Sequence, residues 1–84
     1  MTTYQELWAK TCRVYGAFIP PTTFRRWVED MALLEIQATY EANEVYWVIE
    51  FAQLARRFPK GSPRPKQLLH QRMHKVQQHD TAIP

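Results

Sequence analysis

Glycine and cysteine are nearly absent from this chain: 84 residues hold two glycines and one cysteine. With glycine only at positions 16 and 61, neither a glycine-rich phosphate cradle nor a Gly-x-Ser-x-Gly nucleophile elbow can be written. The lone Cys12 excludes an internal disulfide, and no paired cysteines are present to hold zinc. No apolar run approaches the roughly 18 residues that cross a bilayer. The opening Met1-Thr2-Thr3-Tyr4 also lacks the charged and then apolar regions of a secretion signal. A cytoplasmic protein with no membrane partner is expected.

Carboxylates are missing from one long stretch. Residues 1–50 set Lys10, Arg13, Arg25 and Arg26 against seven acidic residues, whereas residues 51–84 carry seven basic residues and a single acid, Asp80. The net charge is +3, and no carboxylate occurs from Phe51 to His79. A one-signed half of this kind attracts phosphates or an acidic protein surface, and it serves equally as a solvated solubility face.

Aromatic residues are plentiful, at 13% of the chain. Each ring can bury on the order of 150 to 250 Å², which compensates a domain so small that it hides only roughly 60% of its unfolded surface. One interaction domain over residues 1–79 is expected, followed by a frayed tail at 80–84.

Thr3 and Glu6 stand at capping-box spacing, so a helix is expected to start at about Tyr4. Its apolar stripe reads Tyr4, Trp8, Cys12 and Tyr15, and Gly16 is the expected stop. Pro20 and Pro21 turn the chain into a second helix, on which Phe24, Trp27, Val28 and Met31 share a face. Neither glycine nor proline occurs between Thr22 and Phe58, and Ile36, Tyr40, Trp47, Phe51 and Leu54 approximate a helical stripe. One long or kinked third helix is therefore expected over residues 32–57, although Val45 to Phe51 would equally suit a strand. Three prolines between Phe58 and Pro65 require a loop, and Leu69, Met73 and Val76 mark a short last helix. The fold class that follows is mainly α, a small bundle of three to four helices.

Chemistry-bearing residues are few. Cys12 lies in the first helix's apolar stripe and reads as a packed thiol. His70 and His74 are four residues apart, the minimum geometry for two metal ligands, but they lack a third ligand, and Lys66, Arg72 and Lys75 nearby repel a divalent cation. No enzyme, no cofactor, no metal and no small-molecule substrate are expected. Tyr46, Trp47, Arg56, Arg57 and Phe58 interleave aromatic with basic residues, as single-strand binders do, though rings at helical spacing usually pack inside. Arg56, Arg57, Lys60, Arg64 and Lys66 flank the proline loop, where the chain is held open to solvent, and they are the candidate partner- or nucleic-acid-binding residues.

Leu7-Trp8, Ile19-Pro20, Phe24, Trp27 and Met31 together resemble the two opening helices of the N-terminal domain of the DnaA-type bacterial replication initiator. That resemblance implies a docking module for the replicative helicase and other replication proteins. It also implies an alternative fold, an α/β KH-like domain with a short two- or three-stranded sheet, whose third helix would open near Ala42-Asn43-Glu44. The second half is more similar to small all-helical phage helicase-loader proteins, with Trp27, Ile36 and Phe58-Pro59 in the matching places. Both resemblances point to a non-enzymatic replication accessory protein of a phage or mobile element, which recruits or inhibits a replicative helicase or initiator. Two other readings stay open: a small basic module that binds DNA or RNA directly, and a phage-encoded inhibitor of a host defence or transcription complex.

Overall fold

A computed structural model describes the backbone of residues 1–82 and the side chains through Val76. Its elements, in chain order, are β1 (Thr2–Thr3), α1 (Tyr4–Tyr15), α2 (Pro21–Arg26) running into a π-helical turn (Trp27–Met31), β2 (Thr39–Tyr40), α3 (Ala42–Arg57) and α4 (Arg64–Ala82). The expected mainly helical bundle is observed. The sheet is confined to β1 and β2, paired antiparallel with Thr2 opposite Tyr40 and Thr3 opposite Thr39. α3 is the central helix: α1 packs on one side of it, and α4 and the π-helical turn pack against it as well. Among the described residues no helix is long and apolar enough to cross a membrane.

Local chemistry sets the first two helices. The Thr3 hydroxyl accepts from the Glu6 amide at 3.1 Å while the Glu6 carboxylate accepts from the Thr3 amide at 3.0 Å, closing the capping box that satisfies two otherwise free donors. These bonds, the Thr3 backbone amide first, hold the Glu6 carboxyl below its usual range. At the other end Gly16 takes φ +86°, a left-handed conformation that side chains disfavour, and its amide bonds back to the Cys12 carbonyl at 2.9 Å. The buried face of α1 differs from the expected stripe. Leu7 and Thr11 are fully buried, whereas Tyr4, Trp8, Cys12 and Tyr15 are half-buried along its flank. Thr11 tolerates burial because its hydroxyl donates to the Leu7 carbonyl at 2.6 Å.

Phe24, Trp27 and Val28 are buried and Met31 packs against them, as expected for the second helix. The helix widens at its end, where the Ala32 amide reaches the Trp27 carbonyl at 2.9 Å, five residues back. Leu33 then adopts φ +58°, and the Leu34 amide closes on the Val28 carbonyl at 2.9 Å. This left-handed residue stops the helix in the role usually given to glycine.

That stop overturns the expected helix over 32–57. Residues 32–38 form no regular element, β2 follows, and α3 begins only at Ala42. Tyr40 fixes the intervening stretch: 1% exposed, it donates its hydroxyl to the Glu35 carbonyl at 3.0 Å and accepts from the Gln37 amide at 2.9 Å. α3 then opens with the Glu44 carboxylate accepting from the Glu41 amide at 2.8 Å. Ile36, placed in the expected stripe, is exposed, while Val45, Val48, Phe51, Ala52 and Leu54 form the true inner face. Val45 to Phe51 is helical despite its β-branched residues, because burial against α1 and α4 outweighs a propensity difference of a few tenths of a kcal/mol per residue.

The last helix is longer than expected, reaching Ala82, and Val76 on it is exposed while Leu69 is fully buried. The expected frayed tail at 80–84 ends in residues outside those described, as are all side chains beyond Val76.

Burial pushes the Tyr40 phenol above its ordinary value of 10.0, with Glu44 adding in the same direction against the Gln37 hydrogen bond. A raised folded-state pKa means that the associated stability is present below pH 10.0 and lost as pH rises through the folded value. Tyr40→Phe is therefore expected to cost about 1 kcal/mol at neutral pH, through two lost hydrogen bonds partly replaced by water. It is also expected to flatten the decline in stability at alkaline pH. Urea unfolding at neutral and alkaline pH checks both.

Candidate partner-docking face

Two loops on one face, residues 16–20 and 58–63, close the ends of α1 and α3 and leave a hollow between them. Its volume is about 720 Å³. The first loop is held by the Trp8 indole, which donates to the Ile19 carbonyl at 2.8 Å, and by Ile19 itself, which is buried. The second begins where Phe58 leaves α3 in an extended conformation and ends where the Ser62 hydroxyl accepts from the Arg64 amide at 3.2 Å, opening α4. Pro20 and Pro59 in the loops and Pro65 in the first turn of α4 contribute to the walls, and the fixed φ angles of the two loop prolines leave those loops less freedom to lose on binding.

The floor belongs to the core. Trp27 meets Tyr15 edge-to-face at 5.1 Å and 85°, and meets Phe51 at 5.0 Å and 73°. Ala55 and Met31 complete it, while Phe18 stands on the rim, 71% exposed and leaning on Trp8 at 5.9 Å. Among the described residues no carboxylate lines the hollow, and its charged residues are Arg56 and Lys60.

The five candidate residues are all exposed, but they divide. Arg56 and Lys60 edge the hollow. Arg57, Arg64 and Lys66 lie in the same part of the chain without lining it. Arg56 has a second role: its guanidinium donates to the Val14 carbonyl at 3.4 Å and covers Gly16, bringing a cation to the carbonyl end of α1. Arg64 and Lys66 occupy the first turn of α4, which has no acidic residue, so they oppose the positive end of that helix's dipole. Lys66→Glu is accordingly expected to raise stability by about 0.3 to 1 kcal/mol. A thermal melt of the variant beside the parent checks this.

Sequence reasoning missed the apolar half of the site. Phe18 and Tyr15 carried no site role, although an apolar residue lodged between Gly16 and Pro20 in a turn was a usable signal; Phe58, considered as a stacking ring, does line the hollow. Tyr46 and Trp47, considered there as stacking rings, lie against each other on α3 at 5.0 Å and do not line this hollow.

Elsewhere, His70 Nε2 is 2.8 Å from the Met31 carbonyl, which can only accept, so this nitrogen carries the proton and ties α4 to the π-helical turn. Among the described residues no cluster of three or more His, Cys, Asp or Glu could hold a metal ion. Arg72 pairs with Glu50 across α4 and α3, and Arg25 pairs with Glu29 at 3.0 Å on the surface. A second hollow of about 500 Å³ lies between α3, α4 and Leu33–Leu34, and includes Glu44 and His74.

No protein-family model, no curated protein and no solved structure matches the chain.

Proposed function

We propose that this chain is a non-enzymatic docking protein of phage or mobile-element replication, working in the cytoplasm, that binds a replicative helicase or initiator and recruits or inhibits it. The observation that carries the docking role is the preformed hollow of about 720 Å³, apolar in its floor and edged by Arg56 and Lys60, with no carboxylate among the described residues that line it. Binding sites are characteristically concave and apolar, with a few charged groups that orient the occupant. The replication partner rests on the resemblance of Leu7-Trp8, Ile19-Pro20, Phe24, Trp27 and Met31 to the initiator's opening helices. A second reading, direct nucleic-acid binding, draws support from the exposure of all five cations.

Affinity purification of the tagged protein from cells that make it, with and without nuclease, separates these readings. Recovery of a helicase or initiator that survives nuclease supports the first. Recovery lost on nuclease treatment, with an affinity for DNA or RNA that falls steeply with salt, replaces it with the second.

A further inference from the structure

We infer that the hollow between the 16–20 and 58–63 loops takes a short acidic peptide segment of a partner protein, with an aromatic or aliphatic side chain as its anchor; this rests on the docking role proposed above and names the chemistry of what docks.

Three observations select this occupant. The floor is hydrocarbon and ring edge, from Trp27, Phe51 and Ala55, so the group that enters must be apolar. The rim is cationic through Arg56 and Lys60, and Arg57, Arg64 and Lys66 extend the positive charge along the same chain segment. The chain has no carboxylate from Phe51 to His79 to compete for those cations, apart from whatever the first half brings near, and none of that half's acids lines the hollow. An apolar anchor flanked by carboxylates meets both features at once, with charge complementarity setting orientation and association rate.

Nucleic acid fits the same place less well. Stacking of bases needs open ring faces. Here Trp27 and Phe51 are buried, and Trp27 is engaged edge-to-face by both Tyr15 and Phe51. Phe18 alone offers a largely exposed ring at the rim.

The test uses the full chain and a fluorescent peptide in which acidic residues flank a Phe-Leu pair. The controls are the same peptide with lysines for the acids, the same peptide with serines for the Phe-Leu pair, and a labelled oligo-dT. Anisotropy titration is expected to show the acidic apolar peptide binding at least about tenfold tighter than each control, a difference of about 1.4 kcal/mol. Amide shifts on binding are expected to concentrate at Phe18, Ala55, Lys60 and Gly61. The double variant Phe18→Ser with Lys60→Glu, verified as folded by its melting curve, is expected to lose that preference. Equal binding of the controls, tighter binding of oligo-dT, or shifts centred on Leu33 and Trp47 would overturn the inference. Its failure is distinct from failure of the docking role. If the double variant still captures the helicase, the peptide site is wrong and the docking role stands; if the peptide binds as described but no replication protein is recovered, the reverse holds.

Discussion

Trp27→Ala is expected to remove most of the folding free energy and leave the domain at the edge of unfolding at room temperature. The indole sits where three segments meet: Tyr15 of α1 packs edge-to-face on one side at 5.1 Å and Phe51 of α3 on the other at 5.0 Å, while the residue itself begins the π-helical turn. Removing a buried tryptophan costs about 3 to 5 kcal/mol through lost transfer energy and the cavity left behind. A domain of this length has a total stability near the lower end of the usual 5 to 15 kcal/mol. The spacing in the sequence suggests a single Trp8, Phe24 and Trp27 cluster; Phe24 and Trp27 do share one core with Trp8 packed against it, and within that core the ring contacts divide. Trp8 stacks on Phe24 at 6.3 Å, and Trp27 ties the pair of helices to α3. Trp8→Phe is therefore the contrasting variant, since it keeps an aromatic ring on Phe24 and gives up the bond to Ile19. A chemical-denaturation series checks the order, with Trp27→Ala far below both Trp8→Phe and the parent.

Reversal of Arg56, Arg57 and Arg64 to glutamate together is expected to abolish partner capture, a loss of at least about a hundredfold, because it sets like charges against an acidic surface, a juxtaposition that costs several kcal/mol. Stability is expected to change little, since exposed charges contribute at most about 1 kcal/mol each. The three positions do not contribute alike. Glutamate at 56 would lose the bond to the Val14 carbonyl and set a negative charge at the carbonyl end of α1, a small destabilisation. Glutamate at 64 would instead sit well at the start of α4. The two effects oppose each other, so the triple variant is expected to melt close to the parent. Retained capture at physiological salt would move the interface to the acidic first half, near Glu29, Asp30, Glu41 and Glu44.

Features governed by neighbouring residues were legible in the sequence. Thr3 with Glu6, Gly16, and Pro20 with Pro21 each settle a helix end through bonds that span a few positions, and the structure places those ends where the residues do. The error at 32–41 has a tertiary cause. No glycine or proline marks the break; it comes from Leu33 in a left-handed conformation and from the Tyr40 hydroxyl reaching back to Glu35 and Gln37. The face of α1 was misplaced for a related reason. Leu7 and Thr11 lie one position from Trp8 and Cys12, and periodicity fixes the width of a stripe better than its centre. At the docking face, the cations were visible as a run of one sign. The apolar wall was not, because it joins Phe18 to Phe58 across α1, α2 and α3, a proximity that only the packed bundle creates.

Site-specific photocrosslinking in the cell tests the docking face most directly. A photoreactive aromatic residue replaces Phe18, which is 71% exposed on the rim, and in a parallel sample replaces Leu33, which is 62% exposed beside the second hollow. The expected result is a nuclease-resistant protein adduct from position 18, identified by mass spectrometry as a replicative helicase or initiator crosslinked through an acidic segment, with no such adduct from position 33. Adducts from position 33 alone, or adducts to nucleic acid from position 18, would contradict the assignment of this face as a protein-docking site.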